Sequence, residues 1–215
     1  MASSAPDRAQ QAGGLLTWLR GRLGFGDRGD AAVARALYRA AVTAARRPEP
    51  YAAWQVPDDV AGRFEMVILH CLVIARALAA LGGRGQTIAQ ALADTLFADM
   101  EPSLRELGVA DQSIGRHLLK LAETYLARAQ GLDPLWEGAD DAAFDALLRR
   151  NVYAGREVDA VSVAALRGYL QAQARHVRAQ AGGGLFAGRV DWLAPAAGSD
   201  RSRPGMDVDP GPRPT

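Results

Sequence analysis

Residues 66–75 read Met-Val-Ile-Leu-His-Cys-Leu-Val-Ile-Ala, so a helix there is apolar on almost every side. Such a helix has no face to give to water and must be covered by its neighbours all round. The apolar run reaches Leu81, but His70 and Arg76 interrupt it, and it falls short of the ~20 apolar residues that cross a bilayer. The expectation is a central core helix, with the rest of the chain supplying its jacket. Pro57-Asp58-Asp59 marks its start and Gly82-Gly83-Arg84-Gly85 its end.

The jacket is written as 3.6-residue periodicity. Val33, Leu37, Ala41 and Val42 share one face of a helix capped by Asp30 and stopped by Pro48 and Pro50. Residues 47–57 read as an irregular loop whose Tyr51, Trp54 and Val56 pack down on the body. Ile88, Ala91, Leu92 and Leu96 mark the next helix, which Pro102 should break before a short turn through Leu104 and Leu107, closed by Gly108. Asp111 is the expected cap of a helix with Ile114, Leu118, Leu121 and Tyr125 inside. Asp140 or Asp141 caps one with Phe144, Leu147 and Leu148 inside, and Ser162 opens the last, built on Val163, Leu166, Leu170 and Val177. No alternating strand pattern, βαβ order or internal repeat accompanies them. The predicted fold is all-α, a single irregular bundle of about seven helices.

The ends differ from this body. Residues 1–14 are small and polar, and residues 195–215 are rich in Pro and Gly; both read as disordered tails. In residues 15–29, Leu15, Leu16, Leu19 and Leu23 recur at helical spacing with Arg20 and Arg22 on another face, followed by a Gly-rich hinge. The folded domain is expected over residues 30–194. A chain of 215 residues, 49% hydrophobic, can bury such a core without disulfides, and its single cysteine allows none within one chain. The polar start, with a short Arg-flanked apolar run, does not read as a secretory signal.

Charge argues against a nucleic-acid binder: the net value is +1. Residues 1–57 are basic, with eight arginines against four acids, which suits an anionic surface such as a membrane or RNA, or simply a solvated arm beside an acidic body. Catalytic signatures fail one by one. Gly24-Phe25-Gly26-Asp27-Arg28-Gly29 fits a dinucleotide pattern, but an amphipathic helix precedes it where a strand is required. His70, His117 and His176 have no second ligand at metal spacing. Cys71 sits among Ile68, Leu69, Leu72 and Ile74, an apolar setting that suppresses a thiolate. Asp58-Asp59 and Asp140-Asp141 stand at helix starts, where capping accounts for them. No enzyme activity and no cofactor is expected.

Three segments carry more than periodicity requires. The first is Tyr51-x-x-Trp54-x-Val56-Pro57-Asp58, running into Gly62-Arg63-Phe64-Glu65-Met66 and Leu69-His70. The second is Leu96-Phe97-x-Asp99-Met100-Glu101 with Leu104-Arg105-Glu106-Leu107-Gly108-Val109-x-Asp111, and the third Leu148-Arg149-Arg150-Asn151-Val152-Tyr153. Over roughly residues 33–180 the chain resembles the ubiquinol–cytochrome c chaperone family, the assembly factors of respiratory complex III. It departs where the family has an aromatic-Gly-Arg segment: Tyr125-Leu126-Ala127-Arg128 keeps the charge and lacks the glycine.

The resemblance implies a non-enzymatic chaperone that holds nascent or newly inserted cytochrome b. It further implies a small helper protein, the ribosome exit region and peripheral membrane contact as partners. The expected location is the cytoplasm, at the inner membrane of a bacterium, or the matrix and inner membrane of a mitochondrion. A client groove needs apolar surface with a polar rim. Tyr51, Trp54, Phe64 and Met66 are the apolar choices, and Arg63, Glu65, His70, Asp99 and Arg105 the polar ones. Against that, Arg63, Asp99 and Arg105 suit an internal ion-pair network, and Trp54 suits the core. The alternative function is a peripheral membrane- or ribosome-docking module built on residues 15–23.

Overall fold

The computed structural model describes residues 28–106 and 110–195. The tail over residues 1–14, the amphipathic segment with its first glycines, the turn closed by Gly108 and the tail beyond Pro195 lie outside the described residues. The described chain forms α1 (Arg28–Ala45), α2 (Glu49–Ala53), α3 (Val60–Ala79), α4 (Gly83–Glu106), α5 (Asp111–Leu132), a 3-10 turn (Asp133–Leu135), α6 (Asp141–Asn151), α7 (Ala160–Ala179) and α8 (Ala181–Phe186), with no strand among these residues. It is the expected all-α bundle.

The apolar helix is central. α3 packs against α1, α4 and α7, and α4 also against α1 and α5. Met66, Ile74 and Leu78 are wholly buried, and Ile68, Leu69 and Val73 nearly so. Asp59 caps α3 as expected, accepting from the Gly62 amide at 2.8 Å. Asp140 caps α6 in the same way, accepting from Ala143 at 2.9 Å. α6 and α7 close the other side, where Trp136 meets Phe144 edge-on at 5.6 Å.

Several local expectations are corrected. α4 runs unbroken through Pro102. Proline's fixed φ suits a helix, and the single backbone bond it removes lies in the last turns, where an Arg105–Glu101 pair at 2.7 Å spans it. Only Gly82 of the glycine cluster serves the turn, at φ +81°; Gly83 and Gly85 open α4. Gly29, read as hinge, and Asp30, read as a cap, both lie in the first turn of α1; Asp30 is buried and takes Arg84 of α4 at 2.9 Å. The cap of α7 is Asp159 rather than Ser162, whose amide donates to it at 2.6 Å. The residue preceding α5 is Ala110, and Asp111 is the first residue inside.

Two short elements had no periodic signal. α2 forms within the 47–57 loop, started by Pro48 and Pro50, and Trp54 and Val56 after it are buried. After α8 the chain turns back along α7, where two glutamines clasp it. Gln180 exchanges two hydrogen bonds with the backbone of Asp191, and Gln173 does the same with Leu193, at 2.6–3.0 Å.

Candidate functional site

A cleft of about 610 Å³ opens between α3, α4 and α5. Its walls are mostly small and apolar. α3 contributes Leu72, Ala75 and Ala79, α4 Ala89, Ala93 and Phe97, and α5 Ala122, Leu126 and Ala129. Alanines at one-turn intervals leave a trough because a methyl group fills little of the space a leucine would take. Of the residues quoted in the sequence motifs, only Phe97, Tyr125 and Leu126 lie here. A single alanine carries no signature, and only the juxtaposition of three helices turns alanines into a groove.

Enclosed behind this lining is a polar group without a partner among the described residues. Tyr125 is 6% exposed, meets Phe97 edge-on at 5.7 Å, and its hydroxyl finds no hydrogen bond among the described residues. Burial pushes that hydroxyl well above the ordinary tyrosine range, so it stays protonated and able to donate. One turn further along α5, Arg128 pairs with Glu65 of α3 at 2.6 Å, leaving Arg128 Nε and Glu65 Oε2 unpartnered. Burial pushes the Glu65 carboxyl up to about 7 against the pull of Arg128. Arg128, the charge kept from the family's aromatic-Gly-Arg segment, thus ties α5 to α3.

Charge closes the end of the groove near the α3–α4 turn. Arg76 donates to Asp133 at 3.2 Å and Glu137 at 2.9 Å, and Arg178 of α7 reaches the same Glu137 at 3.0 Å. These arginines, Arg76 first, hold the Glu137 carboxyl below its usual value.

The residues singled out from sequence fall into two groups. Trp54, Met66 and His70 are buried in the core, and Glu65 is at the edge of burial. His70 Nδ1 donates to the Met66 carbonyl at 2.7 Å, which leaves Nε2 to accept from the Tyr169 hydroxyl at 2.9 Å. Trp192 stands edge-on to its ring at 5.0 Å. Burial lowers the pKa of His70 to about 4, so it is neutral near pH 7. Trp54 packs on Tyr169 at 5.3 Å and its carbonyl accepts from Tyr153 at 2.8 Å, so the first and third sequence motifs meet.

The second group reaches the surface. Arg63 pairs with Asp58 at 2.6 Å and lies over the half-buried Tyr51 ring, whose hydroxyl donates to Ala45. Phe64 is half-buried against the core. Exposed Asp99 accepts from Tyr38 at 2.6 Å, and exposed Arg105 pairs with Glu101. Cys71 is wholly buried, and burial pushes its thiol up, away from nucleophilic use.

An all-helical body with an alanine-lined groove and a charged clamp at its mouth defines a class: a helical protein with a surface cleft of the shape that receives apolar segments elsewhere. A comparison with family models matches residues 52–192 to the ubiquinol-cytochrome C chaperone family. The chain belongs to that family, and so to the assembly chaperones of complex III. The crystal structure of the Cbp3 homolog from Brucella abortus is similar, with a TM-score of 0.69 and 28% identity, over 84% of this chain and 97% of that one. Among curated proteins no match is found. No helix among the described residues is long and apolar enough to cross a membrane.

Proposed function

We propose that this chain works without catalysis, holding newly made cytochrome b by one of its apolar helices in the groove between α3, α4 and α5 until the cytochrome bc complex takes it up. The observation that carries the reading is the groove itself. It is a mostly apolar trough of about 610 Å³ lined by small residues of three helices, in a member of a complex III chaperone family. Small residues let two helix backbones approach closely. Of the residues chosen from sequence, Arg63, Asp99, Arg105, Tyr51 and Phe64 can meet a partner directly, whether the client, a helper protein or the ribosome exit region. Trp54, Glu65, Met66 and His70 act from within, by holding α3 in place.

The test is genetic and spectroscopic. Deleting the gene should lower the cytochrome bc haem spectrum and leave other oxidases intact. A chain carrying Ala129→Arg, which puts a charge in the groove at a half-buried position, should fail to restore it although the protein accumulates normally. Full restoration by Ala129→Arg would remove the groove from the mechanism, and a normal spectrum in the deletion strain would remove the function.

A further inference from the structure

We propose that the outward face of α1 is a docking surface for an anionic lipid bilayer, held by a straight row of four arginines. Arg28, Arg35, Arg39 and Arg46 are all exposed. Arg46 directly follows α1, and its amide still donates to the Val42 carbonyl at 3.1 Å, so it continues the helical turn. At about 100° per residue the four fall within an arc of about 40°, and at ~1.5 Å per residue they extend over about 27 Å. The exposed positions between them are Gly29, Ala32 and Thr43, and the Thr43 hydroxyl is spent on the Arg39 carbonyl at 2.9 Å. Asp30, the one acid of α1, is buried against Arg84.

Elsewhere on the surface arginines find acids. Arg63, Arg105 and Arg156 are also exposed, and each holds a carboxylate at 2.6–2.7 Å. None of the four arginines of the α1 row pairs with an acid among the described residues. A row of unneutralised charge on one face attracts an anionic partner. Its make-up favours a lipid surface over nucleic acid. The row carries no aromatic ring to stack on bases and no side-chain amide to read their edges. A bilayer surface is a plane, which a straight row of charge meets along its whole length, and guanidinium forks pair with the phosphate oxygens of head groups. Near an anionic leaflet each arginine raises partitioning about fivefold, so four together give roughly several hundredfold at low salt, fading within a Debye length. No residue of α1 lines the cleft between α3, α4 and α5, so the two surfaces are built from different residues and this inference does not depend on what the cleft holds.

The experiment is co-sedimentation of the full chain, at low ionic strength, with vesicles of one part phosphatidylglycerol to two parts phosphatidylcholine. Arg35→Gln with Arg39→Gln should lower the bound-to-free ratio about tenfold or more. Both positions are exposed on a helix and glutamine is a good helix former, so the fold is kept. Arg35→Lys with Arg39→Lys keeps the charge and should stay within about threefold of the original. Arg116→Gln with Arg150→Gln removes two exposed charges from α5 and α6 and should stay within about twofold. An intact chain that fails to sediment with these vesicles, or sediments equally with phosphatidylcholine alone, overturns the proposal. So does undiminished binding by the α1 glutamine pair, which places the contact elsewhere in the chain. An equal loss in the Arg116 and Arg150 variant also overturns it, because net charge alone then accounts for the binding. A short RNA duplex that binds more tightly than the vesicles, and through the same two arginines, overturns it too, because the face then belongs to RNA.

Discussion

Two buried titratable groups on α3, one turn and a half apart, oppose each other with pH. His70 has a folded pKa of about 4 against 6.5 when unfolded. Between these values the unfolded chain binds a proton that the folded chain refuses, so stability falls as pH drops from 6.5 to 4, by about 3 kcal/mol in all. Glu65 has a folded pKa of about 7 against 4.5. There the folded chain keeps the proton, so its contribution is fully present below 4.5 and is lost as pH rises through 7, on a similar scale. The two slopes cancel between pH 4.5 and 6.5, and the unfolding free energy of the intact chain should be nearly flat there. Glu65→Gln should expose the histidine slope, with stability falling on acidification. His70→Gln should expose the carboxyl slope, with stability rising on acidification. Urea titrations from pH 4.5 to 7 check this; parallel profiles for the two variants would contradict the burial of both groups. The surface carboxylates Asp59, Asp141, Asp159 and Glu137 are held low by hydrogen bonds and arginines, so their contribution is lost only in more acid solution.

At the scale of the element, glycine meaning depends on what lies across from it. A Cβ at Gly85 would collide with the Leu78 carbonyl, because the start of α4 is pressed against the end of α3. Gly168 is exposed in the middle of α7 with open space around it. Gly85→Ala should therefore destabilise the chain by about 1–3 kcal/mol, the range for forced overpacking. Gly168→Ala should stabilise it by about 0.5–1 kcal/mol by restricting the unfolded chain. Thermal melts that shift in the same direction for both would refute the close approach of α3 and α4. The same contrast explains what the sequence could and could not reveal. The core helix was legible because nine of ten consecutive side chains are apolar, and Asp59 and Asp140 because a cap is a local bond. Pro102 and the Gly83–Gly85 cluster misled because breaker signals are local statistics, whereas α4 is held by packing on both α1 and α3. The return of residues 187–195 along α7 was illegible because side-chain amides of Gln173 and Gln180 hold it, with no periodic apolar face to announce it.

For the molecule as a whole, the motif residues and the groove divide the work. Trp54, Met66 and His70 recur in the resemblance, yet their side chains are spent inside, so a motif read from sequence here marks the frame as much as any contact surface. The groove is made of residues that no single-position reasoning selects. Two buried tyrosines put the division to a test. Tyr153 is 1% exposed and its hydroxyl is committed to the Trp54 carbonyl, whereas the equally enclosed Tyr125 hydroxyl has no partner in the described body. Removing a satisfied buried hydroxyl strands its acceptor, so Tyr153→Phe should cost about 1 kcal/mol of stability. On the proposed function, capture of cytochrome b per folded molecule should not change. Removing the unpartnered one strands nothing in the body, so the unfolding midpoint of Tyr125→Phe should hold or rise. If a client opens the lining to reach this hydroxyl, capture should weaken about tenfold, the loss of one hydrogen bond of ~1.4 kcal/mol. Urea unfolding and titrated pull-down of cytochrome b, run on both variants, separate the two roles. A Tyr125→Phe chain that captures as well as the original would mean that the hydroxyl is a defect of packing with no part in capture.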